Sequence, residues 1–198
     1  MDSKMIWIVG FGLVIVVIIF LIAMIVSSYN GMVTLNQNVE SSWSEVENQY
    51  QRQADLIPNL ISIVSSAVSV ETKFVQGVIE ARTKWLNASS IADKDKLGVE
   101  MNQSLTTFVN AIATNEAYPA LQSNQQYTAL MDEVAGTQNR IAVSRGRYIE
   151  NVRVYNTSIK TIPNNFFAGM FGFSEKEYYQ ANENSLNTPS LGEGVLPK

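Results

Sequence analysis

Apolar side chains crowd the first 26 positions of the chain and are spaced out after them. Ile6 to Val26 is apolar apart from Gly10 and Gly12, and no charge occurs from Met5 to Val39. Twenty-one residues at about 1.5 Å each cover roughly 31 Å, the thickness of a bilayer's hydrocarbon layer. Sixteen of them are Leu, Ile, Val or Phe, each contributing up to about −0.3 to −0.6 kcal/mol on insertion. The segment therefore predicts a transmembrane helix. A cleaved signal peptide would need a shorter apolar core and a small-x-small site, and Ser27-Ser28-Tyr29-Asn30 offers none, so the span is read as an uncleaved anchor.

Beyond the span the spacing changes to alternating steps of three and four. Met32, Val39, Trp43, Val46, Tyr50, Ile57, Leu60 and Val64 form a heptad seam in which Asn36 and Gln53 occupy two member positions. Pro58 removes a backbone donor from this run and predicts a kink or a turn. A second run follows through Val68, Phe74, Val78, Ala81 and Trp85. Asp93 is the expected N-cap of a third, using Leu97, Met101, Leu105, Phe108 and Ile112. Pro119 ends that helix. The last run starts near Ser123 and carries Tyr127, Leu130, Val134, Ile141, Tyr148, Val152, Tyr155, Ile159 and Ile162, with Gln138 and Arg145 as polar layers and Pro163 as its stop.

These segments predict an all-α fold: an N-terminal transmembrane helix followed by an antiparallel bundle of long helices. Turns at Pro58 and Pro119 give a four-helix up-and-down bundle; mere kinks give one long hairpin of about 90 Å. The expected organisation is a membrane anchor at 1–27, a helical domain at 28–173 and a polar, disordered tail at 174–198. Within the domain, Phe166 to Phe173 is short, aromatic and uncharged, and is expected either to pack or to dip into a membrane surface.

Composition narrows the chemistry. The chain has no cysteine and no histidine, which removes thiol nucleophiles, thiolate metal sites and imidazole acid-base catalysis. No cofactor or metal is expected, and the domain is read as not an enzyme. Asp93-Lys94-Asp95-Lys96 lacks the glycine turn and closing glutamate of a calcium loop and reads as a solvated helix start. The net charge of −4 argues against nucleic acid as a partner.

Two polar groupings stand out. Arg52, Asp55 and Asn59 surround Pro58 and are expected to satisfy the backbone groups that a proline break orphans. Arg140, Arg145, Arg147, Arg153 and Lys160 face a lone Glu150 in the last helix, whereas Glu40, Glu45 and Glu47 precede any basic residue in the first. Such stripes are either solvated faces or complementary surfaces that order helices or join subunits. Lys4 against an uncharged far flank puts the N-terminus in the cytoplasm and the domain outside.

Several local motifs together resemble the LemA family. They are YNGMV at Tyr29 to Val33, Trp43, DLIPNL at Asp55 to Leu60 and EAYPAL at Glu116 to Leu121. NRI at Asn139 to Ile141, Arg145, VRVYN at Val152 to Asn156, and Pro163 followed by AGMFGF at Ala168 to Phe173 complete the set. The chain departs from the family pattern at Ile149, at Ile162 before the proline and at Gln53. The resemblance implies a helical, bundle-like domain on a membrane anchor in a bacterium, with no defined activity; organising magnetosome membranes is one role among relatives. The functional expectation is a membrane-anchored scaffold that self-associates, meeting lipid through residues 6–26 and other copies through its seam and the aromatic end, Phe166, Phe167, Phe171 and Phe173. The alternative is an accessory subunit of another membrane protein.

Overall fold

The computed structural model describes residues 3–67, 71–113 and 124–178. Every regular element among them is an α-helix: α1 Ser3–Ala67, α2 Thr72–Asn87, α3 Ile91–Ala113, α4 Gln125–Lys160 and α5 Asn164–Met170. Val68, Pro119, Ser123, the EAYPAL segment and the tail beyond Tyr178 lie outside the described residues.

The span and the first bundle helix are one element. α1 is 65 residues long, which at 1.5 Å per residue is about 97 Å. Its N-terminal third is long and apolar enough to cross a membrane and its side chains there are almost all exposed. Above the span every predicted apolar seam member from Met32 to Val64 is buried, and of the two polar members Gln53 is buried and Asn36 half-buried. The predicted boundary at residue 27 falls inside this helix.

α4 runs antiparallel along α1, and the register can be read from its cross-links. Arg52 meets Glu133, Glu45 meets Arg147, the Asn38 carbonyl accepts from Asn151, and just past the end of α4 Ser28 donates to Asn164, the first residue of α5. α2 and α3 form a second antiparallel pair that covers only the end of α1 far from the membrane, where Arg82 reaches Ala54, Lys94 reaches Glu47 and Gln53 reaches Asn102. The distal half is thus a four-helix up-and-down bundle, and the membrane-proximal half is a two-helix hairpin. Each predicted architecture describes one half of the molecule.

Pro58 lies inside α1 and turns nothing. Its ring faces solvent, and the acceptor it strands, the Ala54 carbonyl four residues back, receives Arg82 Nε of α2 at 2.7 Å. The described part of α1 runs nine residues past Pro58 to Ala67, and near that end Ser66 Oγ bonds the Ile63 carbonyl at 2.8 Å. α3 also begins before its expected cap. Ser90 Oγ accepts from Asp93 N at 3.0 Å and donates to the Asp93 carboxylate at 2.7 Å, so Ser90 is the cap and Asp93 the third helical residue. In α4, Asn124 Oδ1 caps the amides of Gln126 and Tyr127.

Two members of the α4 seam differ from expectation. Thr137 and Ser144 are buried between Val134, Ile141 and Tyr148, whereas Gln138 and Arg145 sit to one side. Ile162, read as the last seam residue, is 78% exposed because α4 ends at Lys160, ahead of Pro163.

The AGMFGF motif closes α5. Gly172 adopts φ +78°, the Phe173 amide bonds the Ala168 carbonyl at 2.9 Å and the Gly172 amide bonds Gly169 at 3.4 Å. This is the Schellman arrangement, in which the left-handed residue favours glycine. The chain then returns along α4, where Asn156 clamps Lys176 through both backbone groups at 2.8 and 2.9 Å and Tyr155 Oη donates to the Ser174 carbonyl. The first residues of the predicted disordered tail are therefore fastened to the bundle.

Replacing Arg82 with Met strands the Ala54 carbonyl and is expected to cost about 1–3 kcal/mol. In a Pro58→Ala background the restored amide serves Ala54, and most of that cost should disappear. Equal costs in both backgrounds, read by thermal melting, would separate Arg82 from the proline break.

Candidate functional site

Midway along the bundle, polar side chains of three helices meet inside the core. The ring of Tyr50 of α1 is buried against Trp85, with centroids 6.1 Å apart. α3 approaches this ring so closely that a Cβ on Gly98 would stand 2.7 Å from it, which is why the position is glycine. One turn before Gly98, Asp95 lies 3.3 Å from the Arg145 guanidinium of α4, the pair being mostly shielded from solvent. Arg145 also bonds the Tyr50 side chain.

Desolvation sets the protonation of this layer. Burial pushes Asp95 up to about 6, and Arg145 only partly opposes it. Burial likewise pushes the Tyr50 phenol up to about 12, with Arg145 pulling the other way. Next to them Gln53, wholly buried, donates to Asn102 Oδ1 at 2.8 Å, while its own Oε1 and that of Gln49 are buried without a hydrogen bond among the described residues. Gln53 was legible as a polar seam position, and Arg145 as a polar layer although it sits beside the seam that Ser144 occupies. Tyr50 was legible only as apolar, Asp95 was misread as part of a solvated helix start whereas α3 turns it inward to Arg145, and nothing in the local spacing gave Gly98.

The Pro58 cluster does not assemble as expected. Arg52 pairs with Glu133 at 2.7 Å rather than with Asp55. Asp55 accepts from Gln51 at 2.9 Å. Both are exposed, as are Pro58 and Asn59. The orphaned carbonyl is served by Arg82, a long-range partner that local sequence could not reveal.

The arginine stripe is divided among partners within the chain. Arg140 pairs with Glu133 at 2.8 Å, Arg147 with Glu45 at 2.8 Å, Arg153 with Glu150 at 2.6 Å, and Lys160 with Glu175. Glu47 takes Lys94, which also lies over the Trp85 ring, and Glu40 takes Asn36 and Gln37. The Arg147–Glu45 pair joins the two stripes, and it does so between α4 and α1.

At the membrane end, Tyr29 of α1 packs edge-on against Phe171 at 5.0 Å and near Phe173 at 5.8 Å. Phe167 rests against the core, and Phe166 points out. An open groove of about 370 Å³ runs between α1 and the start of α5, lined by Phe20, Ala23, Met24, Ser27 and Pro163 among others.

These features define an antiparallel helical bundle, cross-linked by a buried polar layer, whose first helix carries an N-terminal stretch long and apolar enough to cross a membrane. The LemA family model matches residues 42–191, and the chain belongs to the LemA family. Among curated proteins it is similar to magnetosome proteins MamQ 1 and MamQ 2 of Paramagnetospirillum magneticum, at 26% identity over 91% of this chain and 76% of theirs. Magnetosome protein MamQ of Magnetospirillum gryphiswaldense is 24% identical over 85% of this chain and 72% of its own.

The raised Asp95 has a thermodynamic signature. The folded carboxyl keeps its proton to about pH 6 and the unfolded one releases it near 3.8, so its contribution to stability is full below the lower value and is lost as pH rises through the upper one. The stability difference between wild type and Asp95→Asn should therefore shift against wild type between pH 4 and 6.5. Melts of the full chain in detergent micelles read this, and a constant difference would mean that Asp95 does not titrate there.

Proposed function

We propose that the protein is a membrane-anchored helical scaffold that works by self-association in the plane of a bacterial membrane, and that it is not an enzyme. The continuity of α1 carries this reading. One helix both crosses the bilayer and forms the bundle's seam, so copies that meet through residues 6–26 hold their domains upright and parallel. The seam itself is consumed inside the subunit, and so are the charge stripes. Contacts between copies then fall to the span and to apolar residues left exposed on α4, such as Val143 and Val154. The anchor removes much of the entropic cost of association, which lets weak contacts suffice. The absence of histidine and cysteine from the chain supports the non-catalytic part of the reading, and the acidic net charge disfavours nucleic acid. The curated relatives are named as magnetosome proteins, which fits a role in building a membrane structure.

The full chain, solubilised in mild detergent, is expected to run as a uniform homo-oligomer by light scattering. A monomer would overturn self-association and favour an accessory subunit bound to another membrane protein.

The same reading puts the N-terminus in the cytoplasm and the bundle on the outer face. Ser89, exposed in the α2–α3 turn, is a neutral reporter position. A Ser89→Cys chain should react with an impermeant maleimide on intact cells; reaction only after lysis would reverse the orientation.

A further inference from the structure

The turn between α4 and α5 is the lowest point of the water-facing domain, and it descends beside the membrane span itself. Pro163 and Asn164 share a groove with Phe20, Ala23 and Met24, residues of the apolar run that ends at Val26. Ser28 Oγ donates to Asn164 Oδ1, and Asn164 Nδ2 donates to Ser158 Oγ at 2.9 Å, so the turn is tied to both long helices at that height. Ser28 lies two residues past Val26, about 3 Å along the axis. The headgroup layer on each side of a bilayer is roughly 5–7 Å deep. The turn and α5 therefore start no farther out than that layer.

The side chains displayed there are apolar. Ile162 at the tip is 78% exposed, Phe166 71% and Met170 66%. They recur every four residues on the side away from the buried Ala168. No charged residue occurs from Thr161 to Ser174, and the loop is closed behind this stretch by the Lys160–Glu175 ion pair. An apolar face of this kind is costly in water and favourable at an acyl-chain boundary.

We propose that Ile162, Phe166 and Met170 form a second membrane-docking element, seated in the lipid of the leaflet from which α1 emerges. The occupant is lipid because the patch is continuous with the span: the groove that begins between Phe20 and Met24 opens onto the Pro163 turn, and an acyl chain fills it without leaving the hydrocarbon. The bundle is thereby held at two places, the α1 shaft and the α5 wedge.

The chain has no native cysteine, so single labels are clean. Ile162→Cys, Phe166→Cys and Met170→Cys, each spin-labelled, are reconstituted as full chains in phosphatidylethanolamine and phosphatidylglycerol vesicles, with Ser89→Cys in the exposed α2–α3 turn as the water-facing control. Accessibility to oxygen, which concentrates in lipid, is compared with accessibility to a nickel chelate, which stays in water. The oxygen-to-nickel ratio at the three wedge positions is expected to exceed that at Ser89 several-fold. Ratios equal to the control would place the wedge in water and overturn the proposal. Shielding from both reagents would overturn it too, because protein rather than lipid would then cover the patch.

Discussion

Burial of the apolar edge of α1 against α4 is the contact on which the other features depend. Val39 and Trp43 lie below the α2–α3 pair, which begins only near the level of Glu47, and α4 is the long helix that covers them. α4 supplies Ile141, Tyr148, Val152, Tyr155 and Ile159 in the opposite direction, with Trp43 and Tyr148 meeting edge to face at 5.7 Å. Once this antiparallel register exists, Arg145 is delivered to Asp95 and Asn164 to Ser28. The polar contacts are consequences of the apolar one, and exposed pairs such as Arg153–Glu150 add little of their own.

The buried polar layer has a different role. An aspartate and an arginine withdrawn from water lose solvation that their mutual attraction does not fully return, which is the meaning of the raised Asp95. Tyr50 and Arg145 still need each other, and the close approach at Gly98 leaves α3 one height at which it fits. A layer of this kind favours one register of α3 over its neighbours at some cost in stability. Trp85 reinforces the choice by donating to the Lys94 carbonyl at 3.1 Å, one turn below Gly98.

Much of this architecture was readable from spacing alone, because a seam with unbroken phase leaves few other solutions. The membrane span, the α1 seam and the pairing of long helices followed from periodicity and length. The misreadings share one cause. Proline is the loudest local signal in the chain, yet at Pro58 a distant arginine makes the break tolerable, and the helix continues through it to Ala67. Local rules also assigned the α3 cap to Asp93, three positions late, because Ser90 and Asp93 act reciprocally. Arg52, Asp55 and Asn59 were grouped by nearness in sequence, but an exposed side chain on a long helix answers to whichever neighbouring helix lies beside it.

An unbroken α1 also behaves as a shaft with a fixed torsional phase. Each residue along it turns the chain by about 100° and advances it 1.5 Å. Inserting a single residue between Val26 and Ser28 would swing the bundle by that angle about the membrane normal while the span stayed in its own lipid surroundings. The azimuth of the water-facing domain, and not only its height, is therefore encoded in the number of residues between bilayer and bundle. Length changes there are tolerable only in steps that restore the phase, close to whole heptads, and rotation of the span within the membrane would reach the far end of the molecule with little loss.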